Sequence, residues 1–367
     1  MTILALHANF VGIDMKIAIV SSWYVPVPPI KYGGTEQVIY YLIKGLKELG
    51  HEPILIGTAD STVDCEIIPI VDVATFFPLS NAEKPAFAKK EVGWDKKTHE
   101  LLTKLAPHVD IIHSHGFDLR PFLQYPNVTT LHGKIDFENI PRYLEQIELP
   151  FISVSKNQQE ILPELHYAGF VYNAEDPTDF PIVTEPEDYV CFLGRFDREK
   201  NPHLALELAI SKGYKIKIAG KYDYLGENYF DEQVKPLLDH PLVEYLGELG
   251  FDDKVKLLAN ARCNIHPTNF REPFGLTVLE AAYCGTPTLA VSRGAMSELI
   301  EEGRTGILVE DIAEGYSKIE QCFEMDRAYI AARARALFNY QNMAKQYLKI
   351  YETIIEEFAQ KKSSQES

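Results

Sequence analysis

The sequence predicts an α/β protein made of two doubly wound, Rossmann-like parallel-sheet domains. Three observations lead there. Short apolar runs alternate with helical patterns along nearly the whole chain, as the strand–helix–strand units of a parallel sheet require. The alternation stops at 173–187, a stretch rich in Pro, Asp and Glu without periodicity, and then restarts. A chain of 367 residues is long for one core but comfortable for two domains of about 150–180 residues.

The first strand is Lys16–Ser21, whose Ile-Ala-Ile-Val run suits a buried parallel strand. A Pro-rich loop from Trp23 to Ile30 leads to Gly33-Gly34. Val38, Tyr41, Leu42, Leu46 and Leu49 then recur at helical spacing, and Gly50 closes that helix. Ile54–Gly57 is the next strand. Residues 72–109 carry a weaker signal, with Leu101, Leu102 and Leu105 marking a helix end before a strand at Asp110–His113. Val128–Leu131, Phe151–Val154 and Ala168–Tyr172 complete the set, with Ser155 able to cap a helix. The domain boundary is expected at Tyr172–Asn173, giving a first domain at 1–172 and a second at 173–341.

In the second half Tyr189–Leu193, Lys215–Ala219, Leu242–Leu246, Cys263–His266, Thr288–Val291 and Gly306–Val309 read as strands. Asn201–Lys212, Phe251–Ala259, Leu276–Tyr283, Met296–Glu301 and Ile312–Phe323 read as helices, with Pro202 suited to a first turn. The tail from about Ala328 to Gln360 is helical with a break at Asn339–Asn342, and Lys361–Ser367 reads as polar and disordered.

Lys+Arg of 36 against Asp+Glu of 53 gives a net charge of −17, which disfavours nucleic acid and anionic lipid as partners. Five Cys without a Cys-x-x-Cys pair read as buried thiols in a reducing compartment. No apolar run approaches the ~20 residues that span a bilayer. Residues 1–14 lack a basic start and a cleavage signal and read as an extension or a misplaced start before Met15. A cytoplasmic protein is expected. Lys84, Lys89, Lys90, Lys96 and Lys97, with Phe87 and Trp94 among them, form a basic, aromatic stretch. It suits an anionic lipid or a polyanionic acceptor, but a solvated surface explains it better in so acidic a chain.

The most informative segment is Arg271-Glu272-Pro273-Phe274-Gly275-Leu276-Thr277-Val278-Leu279-Glu280. Pro273 disfavours α geometry at Glu272, and Gly275 lets the backbone come close to a ligand before a helix begins. A helix start offers free N–H groups and a positive dipole end, which suits phosphate. Carboxylates on either side accept hydrogen bonds from sugar hydroxyls instead. Glu272 and Glu280 around a phosphate cradle therefore suggest a ligand of sugar, diphosphate and ribose. Gly33-Gly34 opens an earlier helix in the same way. In Gly194-Arg195-Phe196-Asp197-Arg198-Glu199-Lys200-Asn201-Pro202, Arg195 and Lys200 leave a strand end five residues apart and can neutralise a diphosphate. His132, before Gly133 at another strand end, can bond to a sugar, whereas His113 and His115 read as structural or acceptor-side groups. No Asp-x-Asp, His-Glu-x-x-His or Cys/His metal spacing occurs. Leaving-group stabilisation is thus expected from Arg, Lys and backbone dipoles, without a metal or other cofactor.

From about Met15 to Phe358 the chain resembles the retaining glycosyltransferases of family 4. Glu272 to Glu280 matches their Glu-x7-Glu motif, and Gly194-Arg195 through Lys200-Asn201-Pro202 matches a second family pattern. The resemblance implies a GT-B fold, a last helix (about 342–360) that crosses back to the first domain, and transfer of a sugar, a hexose, with retention. The donor would be a UDP- or GDP-linked sugar and the acceptor a hydroxyl. Gly33, Gly34, Arg195, Lys200 and the amides of Phe274, Gly275 and Leu276 would face the diphosphate. Glu272 would bind the sugar, Glu280 the ribose, and Gly220 with Leu249 the base. His132, Arg195, Lys200 and Glu272 would carry the chemistry. Asn173-Ala174 departs from the Asn-Gly often found in the family. A nucleotide-sugar epimerase and a non-catalytic nucleotide-binding module are the alternatives. An NAD dehydrogenase is disfavoured, since no Gly-x-Gly-x-x-Gly follows the first strand.

Overall fold

The computed structural model describes residues 14–31, 33–75, 84–222 and 228–365. The opening segment considered above therefore lies almost wholly outside the described residues, as does the side chain of Lys84.

Two all-parallel sheets form the molecule. The first holds seven strands, β1 (Lys16–Val20), β2 (Glu52–Thr58), β3 (Glu66–Val71), β4 (Ile111–Ser114), β5 (Asn127–Leu131), β6 (Phe151–Ser153) and β7 (Tyr167–Phe170), in the order β3-β2-β1-β4-β5-β6-β7. The second holds six, β8 (Val190–Leu193), β9 (Ile216–Ala219), β10 (Val243–Tyr245), β11 (Cys263–His266), β12 (Thr288–Val291) and β13 (Gly306–Val309), in the order β10-β9-β8-β11-β12-β13. Each sheet reverses its winding once, between β1 and β4 and between β8 and β11. Crevices at the carboxyl ends of such switch strands are where parallel sheets bind ligands.

β3 is absent from the sequence-based reading. Pro69 interrupts its Ile-Ile-Pro-Ile run, and Pro belongs on edge strands, which is where β3 lies, paired among the described residues with β2 alone. The weak region before β4 is a single long helix, Lys84–Leu105. Its Phe87 and Trp94 rest on Tyr24 and Trp23, at ring-centroid separations of 5.8 and 5.7 Å, while Lys89, Lys90, Lys96 and Lys97 are exposed. The rings and the lysines thus do not share a face.

The stretch 173–180 is also not the solvated linker that its composition suggests. Asn173 to Pro177 are buried, and Asp176 takes a 2.7 Å ion pair from Lys44 on the helix Gly34–Glu48. Ala174 is not among the residues with positive φ, so this turn needs no glycine. The apolar core runs through it, joining Ile17, Ile39 and Leu42 of the first domain to Phe274, Val278 and Tyr283 of the second.

The tail breaks at Phe338–Asn339, between helices Arg327–Leu337 and Tyr340–Gln365. The second of these extends through Lys361–Gln365, which the sequence left as disordered; a polar helical end can continue in water with its carbonyls solvated. It lies against the first domain. A methyl on Gly45 would stand 2.7 Å from Ala344 Cβ, Tyr340 Oη donates to Glu48 at 2.8 Å, and Tyr351 Oη lies 2.7 Å from His113 Nδ1.

Candidate active site

A cavity of 420 Å³ lies between the carboxyl ends of the two sheets, within the range of small-molecule sites. Every residue expected to contact the donor lines it: Gly33, Gly34, His132, Arg195, Lys200, Gly220, Leu249, Glu272, Phe274, Gly275, Leu276 and Glu280.

The switch strands put them there. From β1 the chain turns through Pro29 into Gly33, whose missing Cβ would sit 2.6 Å from Pro29 Cβ. At Gly34 a methyl would approach Leu276 Cδ1, in the opposite domain, to 3.1 Å. After β11 the loop enters the helix Leu276–Tyr283 through Gly275, held at φ 104°, where L side chains are strained. The first bond back in that helix is Val278 N–H to Gly275 C=O at 3.0 Å, so the preceding amides point out of its start. The two helices, one from each domain, bring their N-terminal ends to one cavity.

After β8, Arg195 is held by Asp197 at 3.0 Å and Glu199 at 3.1 Å. Glu199 also pairs with Lys134 of the first domain. Lys200 pairs with Glu272, and His266 Nε2 lies 3.6 Å from the same carboxylate oxygen. Burial alone would raise the Glu272 pKa, but the Lys200 charge and the His266 bond outweigh it and hold the carboxyl at about 2. It is an anion and an acceptor at neutral pH. Gly294, after β12, packs on its backbone: a Cβ there would lie 2.3 Å from Glu272 N, and Ala295 N–H donates to Glu272 C=O at 2.9 Å. Gly220 is equally confined, since a Cβ would lie 1.6 Å from the Gly194 carbonyl oxygen. These glycines mark places where backbone passes against backbone beside the cavity.

Two family models match the chain. Glycosyltransferase Family 4 matches residues 32–162, and Glycosyl transferases group 1 matches residues 176–334. The chain is a family 4-type glycosyltransferase. Among relatives, the glycogen synthase of Mycobacterium tuberculosis is 23% identical over 92% of this chain and 94% of its own. An uncharacterized glycosyltransferase of Methanocaldococcus jannaschii is 26% identical over 93% of this chain and 99% of its own. Among solved structures, the sucrose-phosphate synthase of Thermosynechococcus elongatus aligns with a TM-score of 0.73 at 18% identity, covering 93% of this chain and 99% of that one. Anabaena HepE, solved in complex with UDP and glucose, aligns with a TM-score of 0.69 at 18% identity, covering 93% and 100%. These likenesses show the GT-B fold.

Several groups in the glycosyltransferase's cavity had no signal in the sequence. Lys254, from the helix Phe251–Asn260, pairs with Glu280, and burial is outweighed by Glu280 and Glu175, so its pKa is raised. Glu36 is buried at the start of the helix Gly34–Glu48, where it accepts from Ser22 Oγ at 2.8 Å; burial pushes its pKa up. Lys31, Lys221 and Glu248 also line the wall. None of these stands in a recognisable spacing. Among the described residues, no helix is long and apolar enough to cross a membrane.

His132 forms a chain of imidazoles with His113, on β4, and His115, just after it. His132 Nε2 lies 2.8 Å from His115 Nδ1, and the His115 and His113 ring centroids lie 4.1 Å apart with their planes tilted by 42°. His113 itself is fully buried between Thr130 and Tyr351, each at 2.7 Å, and so is structural. Burial holds His132 at about 4 and His113 at about 3, with His115 well below its ordinary value. The folded protein keeps all three neutral where the unfolded chain protonates near 6.5. Stability is therefore full above pH 6.5 and falls as pH drops toward 4. Each imidazole removes up to about 1.4 kcal/mol per pH unit in that window. Urea midpoints measured from pH 7.5 to 5 are expected to fall accordingly, and a flat series contradicts the burial of this cluster.

Proposed function

We propose that this glycosyltransferase moves a hexose from a UDP- or GDP-linked donor to a hydroxyl acceptor, with retention of anomeric configuration and without a metal ion. One observation carries the reading. Two helix N-termini from opposite domains meet in one cavity that Arg195 and Lys200 also line. That combination of amide dipoles, a forked guanidinium and an ammonium suits a diphosphate. The UDP and glucose bound to the similarly folded HepE support a nucleotide-sugar donor.

In this reading Gly33, Gly34, Arg195, Lys200 and the amides of Phe274, Gly275 and Leu276 take the diphosphate. Glu272 accepts from the hexose hydroxyls, Glu280 from the ribose, and Gly220 with Leu249 flank the base. His132, neutral at working pH, offers a ring nitrogen to the hexose. The acceptor oxygen bonds to the anomeric carbon on the face from which the diphosphate oxygen departs. The bond to that phosphate oxygen breaks, and the acceptor proton passes to the departing phosphate. No second carboxylate is needed as a nucleophile. The fixed cations stabilise charge that grows on the leaving group, without reorganisation at the moment of reaction. While no donor is bound, the Lys200–Glu272 pair keeps each charged group oriented into the cavity.

The test is a screen of UDP-, GDP- and ADP-hexoses for nucleotide release, with the product anomer read by NMR and EDTA present. One donor class should turn over with retained configuration. Conversion of the nucleotide sugar without release of the nucleotide identifies an epimerase instead. Nucleotide binding without turnover on any acceptor identifies a binding module. A rate abolished by EDTA and restored by Mg²⁺ overturns the metal-free mechanism.

A further inference from the structure

The proposed chemistry leaves Glu175 unused. It lies between β7 and β8, fully buried, and lines the cavity with Glu280. Its backbone is pinned, with N–H donating to Tyr283 Oη at 3.3 Å and C=O accepting from Tyr340 N–H at 3.2 Å. Its side chain is not: among the described residues neither carboxyl oxygen has a hydrogen-bond partner. Glu280 is only half satisfied, since Oε1 takes the Lys254 ammonium and Oε2 has no partner. Three buried acceptor oxygens therefore share one part of the cavity, with a single ammonium for two carboxyl groups. Burial and the neighbouring Glu280 push the Glu175 pKa well up.

Buried polar atoms without partners are rare and destabilising, and a carboxyl group contributes nothing to apolar packing there. What satisfies such a set is a ligand with adjacent hydroxyls. The vicinal hydroxyls of a ribose present two donors. Glu280 has one unengaged oxygen, enough for one hydroxyl. We propose that Glu175 takes the second, so that Glu175 and Glu280 together grip the ribose 2′- and 3′-hydroxyls and select ribonucleotides over 2′-deoxyribonucleotides. The proposal rests on the donor reading above, which assigns the ribose to Glu280 alone.

The experiment measures binding of UDP, GDP and ADP and their 2′-deoxy counterparts by calorimetry, for the wild-type chain, Glu175→Leu and Glu175→Gln, with melting curves for each. Wild type should prefer one ribonucleotide over its deoxy form by about tenfold or more, the worth of a charge-assisted hydrogen bond. Glu175→Leu should melt higher without ligand, bind that ribonucleotide at least about tenfold more weakly, and lose most of the preference. Glu175→Gln, which keeps the size and one acceptor, should retain part of it. Unchanged affinity and preference in a folded Glu175→Leu chain overturn the role of Glu175 and leave the donor reading standing. Should Glu175→Leu not fold, a wild-type preference in Glu175→Gln overturns it. Failure of the wild type to bind any of the three nucleotides overturns the donor reading and this proposal with it.

Discussion

Lys200→Ala is expected to lower kcat by about 10²–10³-fold, the usual consequence of removing one preorganised charge from a leaving-group site. Two effects add. In the proposed mechanism the departing diphosphate loses its ammonium, and Glu272 loses the cation that holds it ionised against burial. Glu272 should then titrate at higher pH, so the acidic limb of the variant's pH–rate profile should move upward, which a purely structural role for Lys200 would not produce. Lys200→Arg keeps the charge but presents a planar fork where a compact ammonium sits, and should restore the rate only in part. Arg195→Ala, deprived of the fork that Asp197 and Glu199 now hold, should show a loss of the same order. Steady-state kinetics on the donor found by the screen, with melting curves to establish folding, decide the matter. Near-normal turnover in folded Lys200→Ala and Arg195→Ala proteins would remove both from the chemistry.

The second large effect concerns stability. Arg327 opens the helix Arg327–Leu337 and is buried, and its guanidinium donates to four acceptors. These are the carbonyls of Val183, of Ala261 at 2.9 Å and of Ala259 at 2.7 Å, and Thr286 Oγ1 at 2.7 Å. It ties the segment before β8, the end of the helix Phe251–Asn260 and the turn before β12 to one point. Arg327→Ala leaves those acceptors buried without donors and opens a cavity besides. A loss of about 3–5 kcal/mol is expected, at the upper end for single substitutions. Arg327→Lys should recover little, because one ammonium cannot reach acceptors spread around a planar fork. Urea or thermal unfolding measures it, with the transition of the second domain expected to move and kcat unchanged where the protein stays folded. A shift of less than about 1 kcal/mol would mean that water replaces the guanidinium at these carbonyls.

Much of this architecture was legible because its signals are local. β1 and β12 are buried on both faces and carry the apolar runs Ile-Ala-Ile-Val and Leu-Ala-Val. The Arg195–Lys200 and Glu272–Glu280 spacings lie within single loop–helix junctions, so their convergence on a strand end follows from the winding rule. What stayed hidden depends on distant partners. Lys254 meets Glu280 across 26 residues, and Lys44 meets Asp176 across 132. The segment around Glu175 has the composition of a solvated linker, and only the packing of Tyr283, Tyr340 and the helix Gly34–Glu48 around it makes it interior. Pro69 concealed an edge strand. In the helix Lys84–Leu105, Gly93 and the outward lysines blurred the apolar stripe that Phe87 and Trp94 begin.

The helix Tyr340–Gln365 has a consequence for biogenesis. Tyr351 closes on His113 and Ala344 on Gly45, so the amino-terminal sheet is completed by a helix that is synthesised only after the second sheet. The nascent amino-terminal half must wait with that flank bare while the whole second sheet is synthesised. A split version of this enzyme would therefore have to divide the chain in the carboxyl-terminal half and supply this helix in trans, rather than cut where the two sheets meet.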